Sequence, residues 1–422
     1  MSIEAPLDKR GQFIKARKRE VFQALAADLN LAAYGDAAER FYQLLTATMH
    51  YEYLGELEQL HDAYHYLAPA HPTGGSEAPV SQDAAFETLS VSLERVLAGA
   101  NFVEITPEQM YRATQEAGRV KTPVQTAVGD FRKIRLFRRG GHTEQIERRS
   151  WWGLRKKLVT IEIFDEVVLF AALKPETEMP RKKKKRRDRT VPPGSVMIKL
   201  FHNIAVADLD ILFPGVRVVM TNRDKLMLGL PALIAGIPLL IKLAPAFFVL
   251  YGLLRFYLGE AQPGEDSIGE ALIVASGILA LFGFLTNQWI KYERRALRYQ
   301  KEVADTIYFH NVTNNVGIFD HIIGTAEEQD CKEALLAYMF LLAADAPVTE
   351  PELDHKIEVW LERRFSLKVD FEVDDALRKL ERFGLLTRGG EHLSVLPLPA
   401  ALRELDRRWD GAFQYADVAE VA

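Results

Sequence analysis

Two pairs of residues in this 422-residue chain have the spacing of carboxylate and imidazole ligands on one helix face. Glu58-x-x-His61 and Glu352-x-x-His355 match the Glu-x-x-His element that di-iron bundles supply from each of two helices, with further glutamates beside it. His61 and His65 also stand one helical turn apart, with Asp62 between them. The two pairs, however, are separated by the most apolar part of the chain, and Glu-x-x-His recurs by chance. They read as surface histidines on amphipathic helices, so no metal, cofactor or catalytic residue is expected. No glycine-rich phosphate loop, Gly-x-Ser-x-Gly elbow or His-Glu-x-x-His motif argues otherwise. Asp165-Glu166 reads as a turn between two strands, not as an acid/base pair. Cys331 is the one cysteine, which excludes an internal disulfide and a Cys-rich zinc site.

Charge marks a second set of candidates. Arg181, Lys182, Lys183, Lys184, Lys185, Arg186, Arg187 and Arg189 form a run broken by Asp188 alone, and residues 119–157 carry twelve basic against three acidic side chains. Such fields attract phosphate. Beside a membrane segment, each charge gains about 1 kcal/mol from an anionic leaflet. Contact with lipid headgroups is therefore the preferred use of the run, ahead of an inert linker, with nucleic acid last. Residues 325–422 are the opposite, carrying −9 in a chain whose net charge is −5.

The apolar residues are concentrated in two stretches. Leu226 to Leu258 contains Lys242 and Arg255 as its charges, and Ile268 to Ile290 contains Glu270. Each reaches the length of about 20 residues that a hydrocarbon core requires. The acidic turn Gly259 to Ser267 separates them, and Lys/Arg residues flank their outer ends. The positive-inside rule then predicts a two-span hairpin with both large domains on the cytoplasmic side. A hairpin buried in a soluble core fits two consecutive runs of this length less well. Lys242 lies mid-run, where it either snorkels to a headgroup or marks an ion pathway. Gly269, Ser276 and Gly283 recur every seven residues with Ala280 beside them, a face on which another helix could pack closely. The expectation is an integral membrane protein, in the cytoplasmic membrane of a bacterium before a mitochondrial membrane. The first residues, with Glu4 and Asp8, do not read as a targeting segment.

Around the hairpin the periodicity changes from helical to alternating and back. Residues 1–118 read as helices, with Thr106-Pro107-Glu108-Gln109 as a capping box. Residues 119–225 read as a basic β-rich subdomain, with strands at 131–137, 143–149, 157–164 and 166–173 and Gly140-Gly141 as a hairpin turn. Residues 226–290 hold the spans, at about 229–255 and 268–290, and 291–324 extend the second span as a helix. In 325–422, Thr325-x-x-Glu328 and Thr349-x-x-Glu352 each predict a helix start. A third helix at Val373 to Phe383 and two short strands about Gly389-Gly390 complete the outline of a winged helix. Its third helix enters through the acidic VDFEVDD, so protein binding or self-association is favoured over nucleic acid. The fold class expected is α+β and mostly helical, with a two-span transmembrane hairpin inserted between an N-terminal α+β domain and a C-terminal winged-helix-like domain.

Several segments, in order, resemble the transmembrane protein 143 family. They are ANFVEIT at 100–106, IFDEVVLF at 163–170, IKLFHNIAVADLDILFPGVRVVM at 198–220, the two apolar runs, QWIKYERRALRYQKEVADTIYFHNVTNNVG at 288–317 and AEEQDCKEALLAYMFLL at 326–342. The resemblance covers about residues 90–345. It implies a two-span membrane protein with a shared domain of unknown function, and it carries over no catalytic residue.

The functional expectation is a non-enzymatic, membrane-anchored scaffold or adaptor. Its basic domain would meet anionic lipid, and its acidic C-terminal domain would bind a protein partner or a second copy. The rivals are a membrane enzyme acting on lipid or a membrane-proximal substrate, and a subunit of an oligomeric transporter.

Overall fold

The computed structural model describes residues 11–29, 34–69, 82–106, 108–110, 124–125, 128–149, 156–175, 178, 192–213, 217–218, 251, 254–255, 257–259 and 267–412. The chain divides into two compact units. The first joins Met1–Ala117, Val128–Val206 and Asn311–Ala422, and the second joins Gly118–Ala127 and Ala207–His310.

In the first unit, helices α1 (Lys18–Asp28), α2 (Asp36–His65) and α3 (Gln82–Gly99) precede an antiparallel sheet. Its strands are β1 (Val103–Glu104), β3 (Phe131–Arg139), β4 (His142–Arg149), β5 (Lys156–Leu173), β6 (Val196–Ala205) and β8 (Asn311–Asn314). They run in the order β1-β3-β5-β6-β8, with β4 also on β5. Helices α5 (Val316–Leu342), α6 (Glu350–Phe365), α7 (Val373–Arg382) and α8 (Leu398–Gly411) follow, with short strands β9 (Val348–Thr349), β10 (Leu386–Gly389) and β11 (His392–Val395). The second unit holds the pair β2 (Val124–Gln125) and β7 (Arg217–Val218) and the 44-residue helix α4 (Ser267–His310).

β5 is the spine of the sheet. The β-branched and aromatic residues of LVTIEIFDEVVLFAAL favour a pleated, buried surface. Asp165-Glu166 is not a turn: both residues lie inside one 18-residue strand. Gly140-Gly141 is likewise no hairpin. β3 and β4 pair with successive halves of β5 in a single register, Arg139 opposite Glu166 and His142 opposite Ile163. They are collinear strands joined by a kink. Gly140 takes φ +63°, and a Cβ there would run into the Asp165 carboxylate, so the kink requires glycine.

The two-span hairpin is corrected by the structure. Among the described residues no helix is long and apolar enough to cross a membrane. Ile268 to Ile290 is the first half of α4, which runs on without a break through the charged sequence KYERRALRYQKEVAD, so apolar and charged halves form one element. The earlier run, including Lys242, lies for the most part outside the described residues. The transmembrane-hairpin fold class and the integral-membrane placement are therefore withdrawn. A strand also intervenes that periodicity did not reveal: β8 follows α4 directly and pairs with β6.

α5 begins at Val316, nine residues before the expected cap at Thr325. Thr325 lies mid-helix and its hydroxyl donates to the His321 carbonyl at 2.7 Å, which satisfies it without ending the helix. The Thr349 and Glu352 box does start α6. From α5 onward the element order is helix, strand, helix, helix, two strands, with sheet order β10-β11-β9. The core of this region is shared. Its residues share one cluster with Ile14 ahead of α1 and with Val21, Phe22, Leu25, Phe41 and Leu45 from helices α1 and α2. A second cluster packs α3, the end of α2 and the start of α5 against one face of the sheet. α5 enters both, which is why it is buried on nearly every side.

Candidate functional site

The centre of the sheet carries a charge where an apolar side chain would be expected. Glu166 on β5 lies opposite Arg139 on β3 and opposite His202 on β6, so one row across three strands reads cation, carboxylate, imidazole. The α5 helix lays His321 against the same carboxylate. His202 Nε2 is 2.9 Å from Glu166 Oε1. His321 Nε2 is 3.5 Å from that oxygen, at ion-pair distance, and the nitrogen itself is shielded from solvent. The two imidazole centroids are 6.4 Å apart, near edge-on. Asn203, next to His202, is in the left-handed region at φ +53°, a conformation asparagine tolerates.

The other carboxylate oxygen is held by Arg139. Its guanidinium pairs with Glu166 Oε2 and donates to the Ala100 carbonyl at 3.1 Å. It also lies 4.1 Å from the Phe13 ring centroid and 4.6 Å from that of Phe102. Burial alone would push the Glu166 carboxyl up. The facing His202 and His321 rings and the Arg139 charge outweigh it and hold the group well below the usual carboxylate range. Glu166 is thus anionic, with one oxygen tied down and the other facing two imidazoles. Two histidines and one carboxylate are a donor set for zinc, iron or another borderline divalent ion. Tetrahedral coordination at about 2.1 Å sets donors about 3.4 Å apart. The three ligand atoms here all lie within 4.8 Å of one another.

A second acidic cluster, Asp330, Glu333 and Asp375, already has its cation. Lys379 Nζ lies 2.7, 2.6 and 2.5 Å from Asp330, Glu333 and Asp375 respectively. An ammonium in that position leaves no room for a metal.

The residues singled out by sequence lie elsewhere. Arg181, Lys182, Lys183, Lys184, Lys185, Arg186, Arg187 and Arg189 lie outside the described residues, as does Lys242. Gly269 and Gly283 have open space where a Cβ would project, and Ser276 and Ala280 are exposed on α4. His61 packs against the Phe319 ring at 5.8 Å, Glu352 caps α6 through Thr349, and His355 is exposed. Neither Glu-x-x-His pair belongs to a metal-compatible group among the described residues. Sequence reasoning missed Glu166, His202 and His321. The available signal was an acidic pair interrupting an apolar strand, which asks for cations or imidazoles from elsewhere.

The family described as a protein of unknown function, DUF3754, matches residues 164–317. That stretch contains Glu166 and His202 and stops short of His321. No solved structure matches the chain. The family match carries no activity and does not bear on the resemblance to the transmembrane protein 143 family.

Proposed function

We propose that this chain binds a divalent transition metal through Glu166 Oε1, His202 Nε2 and His321 Nε2. The observation that carries this reading is the convergence of two imidazole nitrogens, His202 Nε2 at 2.9 Å and His321 Nε2 at 3.5 Å, on one oxygen of an ionised carboxylate. Small rotations of the two rings would bring the donors to coordinating separation. Arg139, which fixes the carboxylate and keeps it ionised, is the outer-shell group such a site needs. With His202 and His321 side chains 43% and 33% exposed, a bound ion would keep positions open to water, the condition for Lewis-acid chemistry as well as for simple metal storage or sensing.

The test is titration of the full chain with Co²⁺, read by its d–d absorption, which reports nitrogen and oxygen ligation. One ion per chain is expected. His321→Ala should weaken binding at least tenfold, and Glu166→Gln should do the same while circular dichroism stays unchanged. Absence of saturable binding, or wild-type affinity in either variant, would refute the site.

The acidic region 325–422 supports a second role as a protein-binding module. In α7, which would enter a DNA groove in a winged helix, Lys379 is buried and Arg378 is paired with Asp375 at 2.8 Å. The helix therefore offers phosphate little, and a protein partner or second copy is the reading its chemistry favours.

A further inference from the structure

The segment ahead of α1 is held in an unusual way. It is not helical, and its main chain is bound by side chains of α5. Gln329 accepts from the Ile14 amide at 3.2 Å and donates to the Gln12 carbonyl at 3.3 Å. Lys332 Nζ donates to the carbonyls of Ile14 and Ala16, at 2.5 and 3.2 Å. Glu328 accepts from the Lys18 amide at 3.1 Å. Three side chains within one turn of α5 thus bind carbonyls of alternate residues 12, 14 and 16 and amides of 14 and 18. Groups of this kind recognise a backbone whatever its side chains, as in sheet-edge peptide recognition.

Side-chain positions add selectivity. The Phe13 ring lies between two cations, 4.1 Å from the Arg139 guanidinium and 4.9 Å from Lys332 Nζ. Ile14 is fully buried, and Lys15 pairs with Asp165 at 2.7 Å. The pattern read is aromatic, aliphatic, lysine. Lys332 is 1% exposed and meets neutral carbonyls, so burial opposes its charge and pushes its pKa down to about 8. Releasing the segment would return this ammonium to water and uncover the polar groups of α5 together with the apolar surface that Ile14 covers.

We propose that Glu328, Gln329 and Lys332 of α5, with Arg139 and Asp165 of the sheet, form a peptide-docking site whose resident occupant is residues 11–18, and that a partner polypeptide presenting an aromatic–aliphatic–lysine triplet displaces them. This site stands apart from the metal reading, although Arg139 belongs to both.

The test uses fluorescein-labelled GQFIKARK, the sequence of residues 11–18, titrated into the full chain and followed by anisotropy. Phe13→Ala with Ile14→Ala weakens the resident segment and should bind the labelled peptide at least tenfold more tightly than the wild type. Adding Lys332→Met should reverse that gain. Equal binding by wild type and double variant, or equal binding of a scrambled peptide, overturns the proposal. Should the double variant not fold, hydrogen exchange on the wild type decides. The Ile14 and Lys18 amides should exchange at least tenfold faster than those of Leu335 and Leu336 within α5. Equally slow exchange would mean that the segment leaves only on global unfolding, which also overturns displacement.

Discussion

Glu333 and Lys379 show how burial and pairing compete at one position. Glu333 is 2% exposed and shares the Lys379 ammonium with Asp330 and Asp375, while Gln329 donates to it at 2.7 Å. One cation cannot neutralise three carboxylates, and burial pushes the Glu333 carboxyl up to about 7. The folded state therefore holds this proton more tightly than the unfolded chain does. The stability it contributes is fully present below about pH 4.5 and is lost as pH rises to about 7, by up to roughly 3 kcal/mol. Melting temperature followed from pH 4.5 to 7.5 should show this fall in the wild type, and Glu333→Gln should flatten it; a wild-type profile without the fall would contradict the assignment. Cys331 is simpler: 2% exposed, its thiol is pushed up to about 12 by burial. It should resist a thiol reagent in the native protein and react at once in denaturant, since the thiolate is the reactive form.

Among the elements, the kinked β3–β4 edge is the one whose sequence could most easily be misread. A Gly-Gly pair between two alternating runs signals a hairpin. Here the two runs instead stay in one register on a longer strand, because β5 continues through Asp165-Glu166. Four groups make that continuation possible: Arg139 and His202 face Glu166, while Lys15 and His142 meet Asp165, each at 2.7 Å. Gly140→Ala should destabilise the protein by roughly 1–3 kcal/mol, from the left-handed φ and the clash with Asp165, measured by urea unfolding. Thr349→Ala, which removes the cap of α6, should cost about 1 kcal/mol in the same experiment. If Gly140→Ala proved as mild as a surface substitution, the kink would not be the constraint described.

For the molecule as a whole, α5 is the shared wall of two cores, and this decides which fragments can stand alone. Phe41 of α2 stacks on Tyr338 of α5 with ring centroids 4.1 Å apart, and Trp360 of α6 donates to Asp28 of α1 at 2.9 Å. Removing residues 11–69 would expose much of the apolar surface that the C-terminal helices bury. A fragment of residues 325–422 should therefore show no cooperative thermal transition by circular dichroism, while the full chain does. A fragment that melted cooperatively would mean that its own residues suffice for a core.

By itself the sequence determined the segregation of charge, the helical periods of α2 and α3, the capping box of α6 and the helix and strand order that follows α5, because these depend on residues a few positions apart. It also led to a transmembrane hairpin, since a run of apolar residues shows its length, whereas among the described residues no helix is long and apolar enough to cross a membrane. Tertiary structure alone decided the Glu166, His202 and His321 cluster. Its members come from a strand, the next strand and a helix beyond α4, and spacing along a chain has no information about such a meeting. A carboxyl pair inside an apolar strand looks like a turn until other strands and a helix supply the cation and imidazoles that make its burial tolerable.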